Sequence, residues 1–169
     1  VENELFAILT SLAAEKVRFL VVGGIAVVLH GHPRFTADLD LVVDLQRENV
    51  TTALEVLASK GFRPRPPVPL MSFADPEARR SWIAEKGLTV FSLWSPDAPG
   101  TEVDLFVEEP FDFATAYARA TFVDLIGVAV PVLSIGDLIA LKRRAARPKD
   151  LADVEALEAI ERQSRSHHG

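Results

Sequence analysis

The sequence predicts a single α/β domain with a helical C-terminal end, and three observations carry that expectation. The 169 residues amount to one domain, long enough to bury roughly 70% of the surface the unfolded chain would expose. Apolar residues make up 49% and charged residues 25%, the proportions of an ordinary soluble globular chain, so disorder and low complexity have no support. Segments of helical and strand character alternate along most of the chain, with no repeat at solenoid spacing and no compositional break between halves.

Residues 2–16 place Leu5, Ile8, Leu9 and Leu12 at helical spacing. The apolar run from Val17 to Val22 is too short and too Val-rich to continue that helix, so it reads as a buried strand. Gly23-Gly24 then makes a turn into a short helix, Ile25 to Leu29, which ends at His30-Gly31-His32-Pro33 because proline disfavours helix in the residue before it. Leu39 to Val43 is a strand flanked by Asp38 and Asp44, with Asp44 placed to cap the amphipathic helix Arg47 to Lys60, itself closed by Gly61. Arg63 to Pro69 holds four prolines and reads as an irregular connection.

A helix follows from Pro76 to Lys86, with proline in its first turn and Gly87 at its end. Thr89 to Trp94 and Glu102 to Val107 form one expected hairpin, and Thr121 to Ile126 with Val128 to Leu133 a second, around Gly127. Ser134 is placed to cap a helix with Asp137 at its third position, and Pro148 begins another. Trp82 and Trp94 read first as core positions, with base stacking as the alternative. The domain is expected over residues 1–163, with 164–169 as a disordered tail that includes His167 and His168.

Composition excludes several classes of function. Without cysteine there are no disulfides, no Cys-ligated zinc and no thiol nucleophile, which fits a reducing cytoplasm. The longest apolar run, Phe19 to Leu29, is too short to span a bilayer, and no targeting segment stands out, so a cytoplasmic protein without a membrane partner is expected. A net charge of −6 argues against coating nucleic acid through bulk charge, but leaves room for a local basic patch.

Asp38 and Asp40 lie two apart at a strand entry, so their carboxylates share a face about 6.6–6.8 Å apart along the backbone. At an effective dielectric of about 20 two such charges repel by roughly 2.5 kcal/mol, so a cation between them is the natural complement. Mg²⁺ or Mn²⁺ suits that pair, because such ions take a few carboxylates plus substrate phosphates. The bland alternative is a solvated strand end. Gly23-Gly24, between a buried strand and a helix, is a second feature: bare backbone there lets a phosphate approach the amides.

The combination is more specific than either part. Val22-Gly23-Gly24, thirteen residues, then Asp38-Leu39-Asp40-Leu41 resembles the signature of nucleotidyltransferases of the DNA polymerase β superfamily. That resemblance implies a small mixed sheet with helices packed on it, and C-terminal helices folded back toward an active cleft. It also implies a third carboxylate on a later strand, best matched by Asp104, with Glu102 on the same face and Asp44 a weaker candidate.

Asp137 to Lys142 and Arg147 to Leu157 are similar to later motifs of the AbiEii/AbiGii toxin branch, which implies nucleotide-site roles for Lys142, Asp150 and Asp153. The match departs at Ala146, where that branch tends to have arginine and this chain has Arg147 one step later. Arg34 and Thr36 resemble the branch's Arg-x-Thr-x-Asp-x-Asp variant, with Arg34 on phosphate.

The resemblance therefore implies an enzyme that moves a nucleotide from an NTP to an acceptor hydroxyl. Asp38, Asp40 and Asp104 would hold metal, Lys142 and Asp150 would act in catalysis, and Gly23, Gly24, Arg34, Thr36 and Lys142 would bind nucleotide. Type IV toxin relatives act on tRNA ends, so tRNA or another RNA is the implied acceptor and an antitoxin protein an implied partner. The basic side chains between Lys142 and Lys149 fit such an acceptor. Rival readings are a protein or small-molecule nucleotidyltransferase, and a catalytically inactive nucleotide-binding or antitoxin-like chain.

Overall fold

In the computed structural model, which describes residues 2–168, a seven-stranded mixed sheet runs in the order β3-β4-β5-β2-β1-β7-β6. Helix α1 (Glu2–Ala14) lays Leu5, Ile8, Leu9 and Leu12 into the core. Burying each of those side chains contributes roughly 1.5–3 kcal/mol, enough to decide which face of the helix turns inward. Strand β1 (Phe19–Val22) is buried on both faces, as its unbroken apolar run requires.

Helix α2 (Gly23–Leu29) starts at the Gly-Gly pair itself, two residues earlier than the sequence suggests. Gly23, at φ +66, supplies the turn and the helix continues from it. Strand β2 (Asp38–Val43) lies antiparallel to β1 and parallel to β5 (Glu102–Phe106). Helix α3 (Arg47–Ser59) follows, capped at Gln46, not at Asp44. Asp44 instead accepts from the Gln46 amide and pairs with Arg18, so it fastens the loop ahead of the helix.

The proline-rich connection is less irregular than expected. Arg63–Pro64 forms a two-residue edge strand, β3, paired with β4 (Val90–Trp94), and a 3₁₀ turn follows at Leu70–Ala74. An edge is where a strand tolerates proline, since one side of its backbone needs no partner. Helix α4 (Pro76–Lys86) has the expected limits, and Asp75 caps it. The two expected hairpins are present: β4 with β5, and β6 (Thr121–Leu125) with β7 (Val128–Val132). Between them lies α5 (Phe113–Ala118), capped by Asp112, which the sequence reading did not single out.

Ser134 caps α6 (Ile135–Ala145) through the Asp137 amide at 3.2 Å, and α7 (Pro148–Ser166) starts at its proline. Residues 164–166, read as the start of a tail, lie in the last turn of α7, and His167 caps it; Gly169 lies outside the described residues. No described helix is long and apolar enough to cross a membrane.

Candidate active site

The sheet register assembles the acidic face. Asp40 on β2 stands beside Asp104 on β5 and beside Val22 at the end of β1, and Asp38 stands beside Glu102. Period-two alternation puts Asp38, Asp40, Glu102 and Asp104 on one face of two neighbouring strands. Burial comes first, then the facing charges of Asp104 and Asp38, in holding the Asp40 carboxyl up to about 6; Lys142 and Lys149 act the other way. Burial also raises Asp104, although a 2.5 Å hydrogen bond from the Ser92 hydroxyl opposes it.

Gly23 adjoins this row so closely that a Cβ there would overlap the Asp40 carboxylate. A Cβ on Gly24 would meet the Thr36 hydroxyl at 2.9 Å and approach the Arg34 guanidinium. The two glycines therefore let the turn fit between the carboxylate row on one side and the 34–36 loop on the other.

The C-terminal helices wall the cleft opposite the carboxylates, with Leu138, Lys142 and Arg147 lining it alongside Val90 and Phe106. Lys142 of α6 is buried, donating to Asp153 at 2.8 Å and facing Asp150 at 3.7 Å. Asp153 also receives Arg34, which ties the 34–36 loop to α7. Asp150, at the third position of α7, accepts from the backbone and side chain of Arg147. Burial works against ionisation of Asp150, but the Arg147 bonds and the neighbouring cations outweigh it and hold the carboxyl below its usual range. Ala146 takes a left-handed conformation at the end of α6, φ +52, and the chain then delivers Arg147 to the cleft from one step later than the family pattern.

A cleft of about 360 Å³, in the size class of ligand pockets, is lined by Gly23, Asp40, Asp104, Lys142, Arg147 and Asp150 among others. Five expected site residues thus meet there. Asp38 borders an adjacent cleft instead, and Arg34 and Thr36 line a groove behind the glycine turn. Arg34 is engaged by Asp153, so its first task is to fasten that loop. Glu102 is taken by Arg65, with 2.8 Å from Nε, and is not a spare carboxylate.

The basic stretch at the junction of α6 and α7 is only partly neutralised. Arg143 pairs with Glu158, and Lys142 and Arg147 hold the two aspartates, whereas Arg144 meets only the neutral Pro110 carbonyl and the exposed Lys149 makes no ion pair among the described residues. Sequence reasoning missed Ser92, whose only signal was a hydroxyl on the expected strand opposite Asp104.

A family model described as nucleotidyl transferase AbiEii toxin, type IV TA system, matches residues 5–166. The chain belongs to that family. This AbiEii-family nucleotidyltransferase toxin is similar in fold to several solved structures. The lincosamide antibiotic adenylyltransferase LnuA, lincomycin-bound, has a TM-score of 0.64 at 16% identity, covering 95% of this chain and 98% of that one. ANT(2″)-Ia in complex with adenylyl-2″-tobramycin has 0.54 at 16%, covering 96% and 95%. A nucleotidyltransferase structure from Thermotoga maritima has 0.52 at 17%, covering 98% and 96%. No curated protein sequence matches significantly.

Proposed function

We propose that this AbiEii-family chain transfers a nucleoside monophosphate from an NTP to an acceptor hydroxyl, and that the acceptor is RNA, with tRNA the favoured form. The observation that carries the transfer reading is the Asp40–Asp104 register beside Gly23. Among the described residues no three acidic or histidine side chains already surround a common point, so there is no preformed metal cage. The donors nevertheless fit Mg²⁺ or Mn²⁺: they are hard oxygens, mutually repelling, and such ions complete their shell with substrate phosphates. Asp38, Asp40 and Asp104 would hold it. A divalent ion bound there would neutralise charge on the transferring phosphoryl group and acidify the acceptor hydroxyl.

The remaining work falls to the chain. Gly23 lines the cleft with bare backbone beside the Asp40 carboxylate, where a phosphate would approach, and Gly24, buried against Thr36 and Arg34, lets the turn that presents it close. Lys142 and Arg147 face the same cleft and supply positive charge to the β- and γ-phosphates, with Asp150 and Asp153 keeping both cations oriented. Asp104, oriented by Ser92, receives the acceptor proton. The acceptor oxygen bonds to the α-phosphorus, the α–β bridging P–O bond breaks, and pyrophosphate leaves with the electron pair.

The test is incubation with each labelled NTP, Mg²⁺ or Mn²⁺, and total cellular RNA, protein or small aminated sugars in separate arms. Label should enter RNA, and Asp40→Ala should abolish it. Equal labelling by wild type and Asp40→Ala, or none by either, would overturn the enzymatic reading; label in the sugar or protein arm alone would replace the acceptor. An antitoxin partner goes with the type IV toxin context.

A further inference from the structure

The acidic row does not end at Asp38. Across the sheet, Asp38 pairs with Glu102, Glu102 with Trp94, and Trp94 with Arg63. Period-two alternation puts all four on the same face as Asp40 and Asp104. Trp94 is half-buried, and the guanidinium carbons of Arg63 and Arg65 lie 5.5 and 5.3 Å from its ring centre. A cleft of about 340 Å³ opens there, bordered by Asp38, Arg65, Trp94 and Glu102 and by the loop through Pro99 and Gly100.

We infer that this cleft is the acceptor subsite and that it takes an unpaired nucleotide of RNA, its base lying on the Trp94–arginine platform. The inference rests on the transfer reading above and names where that reaction's acceptor sits. Position argues for it first. The cleft that holds Gly23, Lys142 and Arg147 is bordered by the Val90, Phe106 and Asp104 end of β4 and β5, whereas the Trp94 cleft lies at the opposite end of the same strands beside Glu102 and Asp38, so the carboxylate row runs from one cleft to the other. A triphosphate drawn to the cationic side leaves the Trp94 side to the second substrate. Trp94 is two inter-strand steps from Asp38, about 10 Å at roughly 4.8 Å per step, which is the scale of one nucleotide between its sugar and the far edge of its base.

Chemistry argues for it second. Aromatic rings and guanidinium planes recognise flat faces, and single-stranded RNA presents bases that can be splayed onto them. An aminated sugar carries ammonium groups that the guanidiniums of Arg63 and Arg65 beside the ring would repel. Arg65 spends its charge on Glu102, but Arg63 is exposed and makes no ion pair among the described residues, so it is free to meet a phosphate at the outer rim. Asp38, assigned above to the metal, borders the inner rim, where its charge repels phosphate and leaves the RNA phosphate to the Arg63 side.

The full chain is titrated with an unstructured RNA 12-mer, with neither NTP nor metal present, while tryptophan fluorescence and the anisotropy of end-labelled RNA are followed. Only two tryptophans are present, and Trp82 stacks on Phe91. Quenching should persist in Trp82→Phe and vanish in Trp94→Phe. By anisotropy, Trp94→Ala should weaken binding about tenfold and Trp94→Phe should restore most of it, as loss and return of one stacking face. Arg63→Ala, an exposed change that spares the fold, should weaken binding and flatten its salt dependence. Unchanged affinity in Trp94→Ala and Arg63→Ala, or quenching by NTP but not by RNA, would overturn the subsite. Because binding is read without turnover, failure of the transfer reading shows separately, as absence of product from every NTP. In an active chain, Trp94→Phe should raise the KM for RNA and leave the KM for NTP unchanged.

Discussion

Gly23 abuts the Asp40 carboxylate, leaving no space for a side chain at position 23. Two penalties therefore fall on Gly23→Ala: a left-handed backbone at φ +66, worth about 1–2 kcal/mol, and a clash with a carboxylate held on a central strand. Gly87 gives the matched control, with φ +59 and nothing near its missing Cβ. Gly87→Ala should lower Tm by a few degrees and leave transfer intact, whereas Gly23→Ala should lower Tm further and abolish labelling. Similar activities in the two variants would show that the Gly23–Asp40 contact is dispensable.

Three carboxylates on one face make the metal-free domain less stable than its core would allow. A cation present at about tenfold its dissociation constant stabilises by roughly 1.4 kcal/mol, or about 3–5 °C in Tm for a domain of this size. Mg²⁺ should raise Tm by that amount, and EDTA should reverse it. Asp40→Asn should raise the metal-free Tm, by removing the most buried charge of the row, and lose the response to Mg²⁺. A response retained by Asp40→Asn would place the ion elsewhere.

What could be read in the sequence follows from the range of the interactions involved. The Gly-Gly turn and Asp38-x-Asp40 are local and periodic, so their strand–helix–strand setting was legible. So was Asp104, a charge inside an apolar strand. The ion pairs Arg34–Asp153 and Lys142–Asp153 join positions 119 and 11 residues apart, and no local pattern announces which cation meets which carboxylate. Trp94 reads first as core, with stacking only as the alternative, and Arg63 does not stand out, for a similar reason. Each is an ordinary residue of a proline-rich or hairpin segment, and only the pairing of β3, β4, β5 and β2 puts them on the carboxylate face.

Lys142 is almost wholly buried between two aspartates, and removing one partner of such a pair costs about 3–5 kcal/mol because the others keep their charge without compensation. Lys142→Met alone should therefore destabilise strongly in urea. Combining it with Asp153→Leu should recover part of that stability, since the pair then becomes apolar, though Arg34 loses its anchor. Transfer activity should stay absent in both. Recovered activity in the double variant would mean that Lys142 holds the fold and does not act on the nucleotide.

His30 closes α2 with its Nε2 donating to the Leu133 carbonyl at 2.8 Å, joining the helix after the glycine turn to the end of β7. Burial lowers its pKa below the ordinary 6.5, against a smaller raising effect of that hydrogen bond. Below pH 6.5 the unfolded chain takes up a proton that the folded chain resists, so stability falls as pH drops from 6.5 through the folded-state value. Between pH 7 and pH 5.5 the loss from this one group cannot exceed about 1.4 kcal/mol per pH unit. Urea denaturation at those two pH values should show this loss in the wild type, and His30→Asn should be less stable at pH 7 but have a shallower acid slope. An unchanged slope in His30→Asn would assign the acid sensitivity to the carboxylates instead.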